Sequence, residues 1–403
     1  MSSPVRTRRS TLSLWIVFFV NGAVLSAWAP RIPDVKRDLA LSDGQLGWAL
    51  LGIAAGSIPA LVGTARLLRS LSSKALCISA SIAFPAALPL LALAPNGGLL
   101  AAALAVLGAA SGALDIAMNS AAIRYQDRCG ARILSRLHGG YSLGVLAGAA
   151  SGAVASMLDV TVLQHFIVVS GLLVTLAVGA SVSLPPSPTD TALTDRLAHP
   201  PRRGPTLAIP LSIGAMAVAA LLVEGMVSDW SALLVSRDFH GGPTIGALAL
   251  VAFSCAMFVS RSIGDLIIDR LGAASTVRYA AGVVTAATVA GLLTQHQPWG
   301  AVVALGCIGF AVGPLFPLLI TEAGRRSRRG VATATAHVSV VGYAAYLGGP
   351  PLVGFLADHI GLLRAFTGIG LASCTVLALA AVTVRRRTTR TGREGYPIEP
   401  ETA

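Results

Sequence analysis

Residues 98–120 read GLLAAALAVLGAASGALDIAMNS, a run of 23 residues in which Asp115 carries the one charged side chain. A helix that crosses the hydrocarbon core of a bilayer needs about 20 mostly apolar residues. The run therefore predicts a membrane-spanning helix. An ionised carboxylate near the centre of such a helix costs about 3 kcal/mol or more, so Asp115 is a candidate functional residue.

Eleven similar runs accompany this one, and the sequence predicts an all-α membrane protein with twelve transmembrane helices. We number these spans 1 to 12 in chain order: 12–30, 44–65, 75–95, 98–120, 137–157, 161–184, 208–233, 245–263, 277–294, 300–322, 331–357 and 364–384. The composition agrees, because 54% of the 403 residues are hydrophobic and 12% are charged, whereas soluble domains carry about 25% charged residues.

Enzyme chemistry is not expected, since the sequence has no Walker lysine motif, HExxH, GxSxG or complete GxGxxG. The five cysteines lie far apart and form no CxxC pair, so we expect neither a metal site nor a bound cofactor. Without a nucleotide-binding loop, any energy for transport has to come from a gradient.

Basic residues set the expected orientation. With the N-terminus in the cytoplasm, 25 of the 30 Lys and Arg residues fall on the cytoplasmic side, in agreement with the positive-inside rule. We therefore expect a multi-pass protein of the bacterial inner membrane with both termini cytoplasmic. The net charge of +12 then serves orientation and contacts with the lipid bilayer, and nucleic acid is not an expected partner.

A polar, proline-rich stretch at the middle of the chain divides the spans into two sets of six. The stretch 185–207 reads PPSPTDTALTDRLAHPPRRGPTL. It predicts an N-terminal six-helix bundle over 1–184, a cytoplasmic linker over 185–207 and a C-terminal six-helix bundle over 208–384. The basic segment 385–403 is predicted to be a disordered cytoplasmic tail.

An internal repeat relates the two sets of spans. His138 and His337 open spans 5 and 11 and lie 199 residues apart, and Gly47 and Gly246 begin spans 2 and 8 at the same offset. Span 1 contains Asn21-Gly22 and Trp28 where span 7 contains Glu224-Gly225 and Trp230. Because transporters are often built from such repeats, the offset predicts two homologous halves.

Six short motifs carry a resemblance to a known family: WAPRIP (28–33), LDIAMN (114–119), HGGYSLG (138–144), EGMVSDWS (224–231), RSIGD (261–265) with DRLG (269–272), and FP (316–317). With these, the whole chain resembles the major facilitator superfamily. More closely it is similar to an uncharacterised bacterial branch of permeases near the fucose–proton symporter group. The resemblance implies two pseudo-symmetric six-helix bundles that work by alternating access.

Two intramembrane acids are the candidate proton-coupling residues. Asp115 and Asn119 are four apart and share a helix face, and in the fucose-type symporters that the motif resembles, such an acid couples to the proton. Glu224 lies in span 7, with Asn21 at the equivalent position of span 1, so we expect Asn21 and Glu224 to face each other across a central cavity. Asn21 and Asn119 are candidate substrate ligands. The alternative for each acid is a structural pair with a neighbouring helix.

One departure from the fucose permeases concerns the end of span 1. Those permeases resemble one another in having an aspartate there, where this chain has Ala29 or a neighbour. A proton route through two acids of the N-terminal half is therefore not expected. We predict that Asp115 and Glu224 form the proton route instead.

The outer ends of spans 1 and 7 carry further candidates. Trp28 and Trp230 are candidate substrate-binding residues that could stack on a sugar or close an outer gate, but anchoring at the membrane interface is the favoured interpretation. Asp229, beside Trp230, is expected at the outer mouth and is a candidate substrate ligand.

The inner side carries candidate gating residues. Arg261, Asp265, Asp269 and Arg270 resemble the superfamily's loop between helices 8 and 9, which implies a role in holding the cytoplasmic gate shut. Arg261 and Asp265 are spaced for an ion pair on one helix face. The alternative is a solvated, salt-bridged loop.

The sequence therefore predicts a secondary active transporter that moves a small polar solute, a sugar or sugar-like compound among the candidates, by proton symport. The expected partners are this solute, protons and the lipid bilayer, and the protein is expected to be monomeric. Two alternatives stay open: a proton-antiport exporter of amphipathic compounds and a non-transporting membrane sensor on the same fold.

Overall fold

The structure is a computed structural model that describes residues 4–68, 70–129, 133–185, 209–294, 297–326 and 331–382. Over these residues all regular secondary structure is helical. Most of the predicted linker and the predicted basic tail lie outside the described residues, so the proposed domain boundaries there stay predictions.

Within the described residues, twelve helices are long and apolar enough to cross a membrane, which confirms the predicted number of spans. Several spans combine two helical segments. The helices that form spans 1 to 12 are Pro4–Trp28 with Ile32–Asp38, Asp43–Leu67, Ser73–Ala86 with Pro89–Leu93, Gly97–Cys129, Leu134–Met157, Val162–Ser181, Leu211–Leu233, Gly242–Ser262, Ala273–Leu293, Pro298–Val312 with Leu315–Arg326, Val331–Ile360, and Leu362–Ala381. A short helix, Gly264–Leu271, lies between spans 8 and 9.

Spans 1 and 7 are longer than predicted, because each continues through a local change of helix type. A 3₁₀ turn at Ala29–Arg31, which contains Pro30, carries span 1 onward into Ile32–Asp38. A π turn at Leu234–Asp238 extends span 7. Both continuations lie on the side of the molecule that the basic residues predict to be outer.

Prolines interrupt spans 3 and 10, and the carbonyl groups that they leave unpaired find other donors. Pro89 has no N–H for the carbonyl of Pro85, four residues earlier. The Ser170 hydroxyl of span 6 donates to that carbonyl at 2.7 Å. In a membrane such internal compensation is required, since no water is present to replace it.

The repeat is visible in how the helices pair. Span 1 packs most extensively on span 5 and span 2 on span 4, and the equivalent pairs in the second set are span 7 with span 11 and span 8 with span 10. Small residues make these approaches possible. A Cβ on Gly56 would collide with the backbone of Ala105, and one on Gly309 would collide with the backbone of Phe253.

We predict opposite effects of two alanine substitutions in span 2. Gly56→Ala inserts a methyl group into backbone contact with span 4 and is expected to destabilise the protein by about 1–3 kcal/mol. Gly63→Ala, in the same helix, meets no atom within 4 Å and is expected to be neutral or stabilising, because alanine favours helix by about 1 kcal/mol. Melting temperatures of the purified proteins in detergent check this; a lower value for Gly63→Ala than for Gly56→Ala contradicts it.

Candidate functional site

The two halves of the chain, residues 4–185 and 209–382, meet closely at the predicted outer side. Span 2 packs on span 11 and span 5 on span 8. Glycines bring spans 2 and 11 together, since a Cβ on Gly47 would lie 2.9 Å from the carbonyl oxygen of Pro350. Gly354 packs against the backbone of Asp43 in the same way.

Polar contacts tie the halves together at this outer side. Arg237 donates to both carboxylate oxygens of Asp43, at 2.8 and 3.0 Å. Lys36 also pairs with Asp43 at 3.0 Å. The Ser42 hydroxyl donates to Asp358 at 2.9 Å. We call these contacts, of Ser42 and Asp43 with Arg237 and Asp358, the outer seal.

Toward the predicted inner side the halves separate. Among the described residues, spans 4 and 10 pack extensively only on helices of their own half. Asp115 in span 4 is densely surrounded by protein and yet its side chain is exposed. From these two properties we infer that Asp115 faces an internal cavity that solvent enters, and the separation of the halves toward the inner side places this cavity between them.

Asp115 and Asn119 occupy one face of span 4, which confirms the predicted arrangement of this pair. The Asn119 amide donates to the Asp115 carboxylate at 3.1 Å and to the Asp115 carbonyl at 2.8 Å. The structure shows no ion pair to Asp115 among the described residues. The carboxylate therefore faces the cavity with a neutral hydrogen-bond donor beside it.

Glu224 is paired with Arg261, a contact that the sequence analysis did not predict. The guanidinium donates to the two Glu224 oxygens at 3.1 and 2.9 Å. It also donates to the carbonyl oxygen of Gly313 at 3.1 Å. That carbonyl is available because Pro317, four residues on, has no N–H. The interruption of span 10 thus provides the third hydrogen-bond acceptor of the Arg261 guanidinium, beside the two Glu224 oxygens.

This pair changes two expectations about the site. Asn21 is buried at 9% exposure, and Glu224 contacts Arg261 of its own half instead of standing alone opposite Asn21. Arg261 reaches into the cavity wall and is more than a surface gating residue. The side chain of Asp265 lies outside the described residues, while Asp269 and Arg270 are exposed at the inner side.

Asp229 lies deeper in the cavity than predicted. Along span 7 it precedes Asp238 by nine residues, about 13 Å of helix, and the outer seal closes above it. It therefore does not lie at an open outer mouth. Its side chain is enclosed by protein and partly accessible.

Two tyrosines, which the sequence analysis missed, accompany this acid. Tyr346 of span 11 packs on span 7 at Gly225, one helical turn before Asp229, since a Cβ on Gly225 would lie 3.0 Å from the Tyr346 carbonyl oxygen and 3.1 Å from the Tyr346 ring. Gly22 packs on Tyr141 and Gly225 packs on Tyr346, so the two tyrosines occupy matching places in the halves. The sequence repeat did not pair them, because Tyr141 follows His138 by three residues and Tyr346 follows His337 by nine.

The rings of Trp28 and Trp230 are enclosed, so the structure shows them neither against a solute nor at the lipid interface, and their role in closing an outer gate stays a prediction. Contact with a solute and anchoring at the lipid interface both require an accessible ring, but Trp28 is 1% and Trp230 is 0% exposed. Both Nε1 atoms are buried without a hydrogen-bond partner among the described residues. Trp28 packs on Phe166 with ring centroids 6.2 Å apart. Both rings therefore belong to the buried core of the protein.

Within the described residues no group of three or more His, Cys, Asp or Glu side chains is placed to hold a metal ion. The site consists of carboxylates, one paired guanidinium, amide groups and phenols. Such groups bind polar solutes and exchange protons.

Comparison with known proteins agrees with this architecture. Residues 14–336 match the family model of the Major Facilitator Superfamily. An uncharacterized MFS-type transporter of Yersinia pestis is 29% identical over 383 residues, 93% of this chain and 96% of the relative. Membrane protein MosC of Rhizobium meliloti is 30% identical over 382 residues, 94% of this chain and 90% of the relative.

Solved structures with the same fold include two transporters. The nucleoside transporter NupG has a TM-score of 0.67 at 14% identity and covers 93% of this chain and 97% of its own. A bacterial homolog of the human lysosomal transporter Spinster, inward-facing and unoccupied, has a TM-score of 0.68 at 15% identity, covering 95% and 98%. The predicted place near the fucose–proton symporter group stays a prediction.

The outer seal predicts a specific cross-link. In a background with the native cysteines replaced, Ser42→Cys with Asp358→Cys is expected to be joined by a short bifunctional thiol reagent, because the native side chains touch. The control pair Ser42→Cys with Arg66→Cys is separated by 24 residues of sequence, most of them in one helix about 35 Å long, and is expected to stay unlinked. Mass spectrometry of the product provides the measurement; equal linking in both pairs contradicts the seal.

The Glu224–Arg261 pair predicts a non-additive mutant series. Arg261→Met leaves the Glu224 carboxylate without its cation and is expected to cost about 1–3 kcal/mol of stability. The double variant Glu224→Gln/Arg261→Met removes both charges and is expected to regain most of that loss. Arg270→Met, at an exposed position, serves as the control with a change within about 0.5 kcal/mol. Detergent melting temperatures that simply add would refute the pair.

Proposed function

The chain belongs to the major facilitator superfamily, and on this premise we propose that it is a secondary active transporter that couples protons to the symport of a small polar solute. The Yersinia pestis relative is named as an MFS-type transporter, and the solved structures with the same fold are transporters, which supports transport as the function. The direction, the coupling ion and the class of solute are our proposals.

The observation that carries the proposal is an accessible, unpaired carboxylate within a membrane-spanning helix. Asp115 faces the cavity with only the Asn119 amide beside it. A carboxylate in the membrane is costly unless it is paired or serves a pathway for ions or protons. Because Asp115 has no cation to neutralise it, a proton is the simplest neutralising partner, and the Asn119 amide holds the carboxylate in place.

Glu224 is the second proposed proton-coupling residue, and its pairing gives it a distinct role. Protonation of Glu224 removes the charge that holds Arg261. Arg261 would then keep its bond to the Gly313 carbonyl and lose its tie to span 7. Span 7 also carries Arg237 of the outer seal, so a change at Glu224 acts on a helix that joins the cavity to the seal.

Alternating access requires that the outer seal opens while the inner side closes. We propose that the exposed inner segment with Asp269 and Arg270, together with Arg261 and Asp265, contributes to the closed inner state. Asn119 and Asp229 line the cavity as candidate solute ligands. Proton-driven uptake across a bacterial inner membrane by a monomer built of two six-helix bundles is the simplest scheme with these parts.

Proton flux in proteoliposomes tests the proposal. Vesicles with an internal pH dye are given a panel of neutral sugars, polyols, amino sugars and nucleosides, and we expect at least one class to bring protons in together with the solute. Asp115→Asn is expected to abolish solute-driven proton entry and to retain solute counterflow, and Glu224→Gln to slow both at least tenfold. Asp159→Asn, at an exposed loop carboxylate, is the matched control and is expected to behave like the native protein.

Three results contradict the proposal. Proton movement opposite to the solute indicates an antiporter, the first alternative. Absence of flux with every class, for protein that keeps its native melting temperature, favours the sensor. Normal coupling in Asp115→Asn and Glu224→Gln removes the two acids from the mechanism.

A further inference from the structure

The two charges that meet across the outer seal each have a second partner in their own half of the chain. Asp43 accepts from Arg237 of the other half at 2.8 and 3.0 Å. Lys36, of the same half as Asp43, lies 3.0 Å from that carboxylate. Arg237 in turn donates through Nε to Asp238, its neighbour in span 7, at 2.6 Å. The four side chains therefore form a series of alternating charge that crosses between the halves once.

Three members of this series are largely shielded from water. The side chains of Lys36, Asp43 and Asp238 are 14%, 8% and 17% exposed, whereas Arg237 is 40% exposed. An enclosed charge that loses its partner is strongly destabilising. A contact between such charges opens readily only if each of them has another partner after the contact is broken.

Span 12 holds Asp238 in place within the C-terminal half. Its N-cap is Gly361, which provides no side chain to cap the helix. The N–H of Leu363 donates instead to the second oxygen of Asp238 at 3.1 Å. The positive end of the helix dipole adds to the attraction for this carboxylate. Asp238 is thus fixed by contacts that do not involve the N-terminal half.

The internal repeat relates Lys36 to Asp238. They lie 202 residues apart, which is also the offset between Ala40 and Gly242, two residues that follow them and have a left-handed backbone with φ of 50° and 69°. The tryptophans of spans 1 and 7 have the same offset. The equivalent position therefore carries a cation in one half and an anion in the other, and each pairs with the seal residue of its own half.

We propose that Lys36 and Asp238 are exchange partners of the outer seal. When the seal opens, Asp43 keeps the charge of Lys36 beside it. Arg237 likewise keeps that of Asp238, so neither seal residue is left unpaired. The inference rests on the proposed alternating access and adds two residues to its mechanism. Without an exchange partner, a seal residue depends on the contact across the halves alone, and the seal then resists opening.

Labelling of a cysteine in the cavity from the outside measures opening of the seal. The reporter is Asn119→Cys in a background with the native cysteines replaced, because Asn119 shares the face of span 4 with Asp115. Right-side-out membrane vesicles receive a membrane-impermeant maleimide, which reaches the reporter only while the outer side is open. The labelling rate therefore follows the open fraction even where that fraction is small. Permeabilised vesicles, which the reagent enters from the inner side, verify that the reporter reacts.

The variants are expected to form an ordered series. Asp43→Asn breaks the contact across the halves and is expected to raise the outside labelling rate at least threefold. Lys36→Met and Asp238→Asn are each expected to lower it at least threefold. Asp238→Asn removes the charge and retains an oxygen for the Leu363 N–H, so span 12 stays capped. Asp238→Glu restores the charge and is expected to label at least twofold faster than Asp238→Asn.

A double variant and two controls separate exchange from a general loss of charge. Asp43→Asn/Asp238→Asn is expected to label like Asp43→Asn, because no contact across the halves is left for Arg237 to depend on. Asp159→Asn and Arg364→Met change the charge at exposed positions of the same side and are expected to stay within twofold of the native rate.

Equal or faster labelling in Lys36→Met or Asp238→Asn, for protein with the native melting temperature, overturns the inference, since the two residues would then only orient the seal. Absence of outside labelling in Asp43→Asn overturns it as well. The assay needs neither a solute nor a proton gradient. The expected order without proton flux would refute the proposed coupling and leave this inference standing, and coupled flux with unchanged labelling would do the reverse.

Discussion

Charge within a membrane is the constraint on which this structure depends. Several charged groups of the described spans are compensated locally: Glu224 by Arg261, Asp43 by Arg237 and Lys36, and Arg31 by Asp34 at 3.0 Å. Two of these pairs join different helices, since Glu224 of span 7 meets Arg261 of span 8 and Asp43 of span 2 meets Arg237 of span 7. Asp115 and Asp229 have no ion pair among the described residues, and we infer that water, protons or solutes take the place of a counter-ion there.

Close contacts between helices, made possible by glycines, also hold the bundle together. Glycines let span 1 approach span 5 and span 2 approach span 4, and the same pairs recur in the second half. At the outer side the cross-half contact of spans 2 and 11 uses glycines as well, around Gly47 and Gly354. Where two helix backbones meet at glycines, few side chains lie in the contact. Separating the helices therefore requires few side chains to change rotamer. A seal of this type together with a few ion pairs suits a joint that opens and closes.

Prolines link the helix geometry to the site chemistry. Pro317 removes one backbone donor from span 10, and the freed carbonyl of Gly313 holds Arg261 against Glu224. A backbone irregularity is tolerated in a membrane where it lines a cavity or is satisfied by a side chain. The interruption of span 10 therefore provides a backbone carbonyl, that of Gly313, as a hydrogen-bond acceptor for Arg261.

The sequence by itself determined what depends on local periodicity: twelve spans, the repeat, and the shared face of Asp115 and Asn119. Hydropathy and four-residue spacing are properties of one helix, so they can be seen without its neighbours. Only the tertiary structure decided that Arg261 meets Glu224, that the rings of Trp28 and Trp230 are enclosed, and that Tyr346 packs on span 7 at Gly225. These depend on which helices pack together and at which height, because a side chain's partner in a bundle comes from a helix distant in sequence.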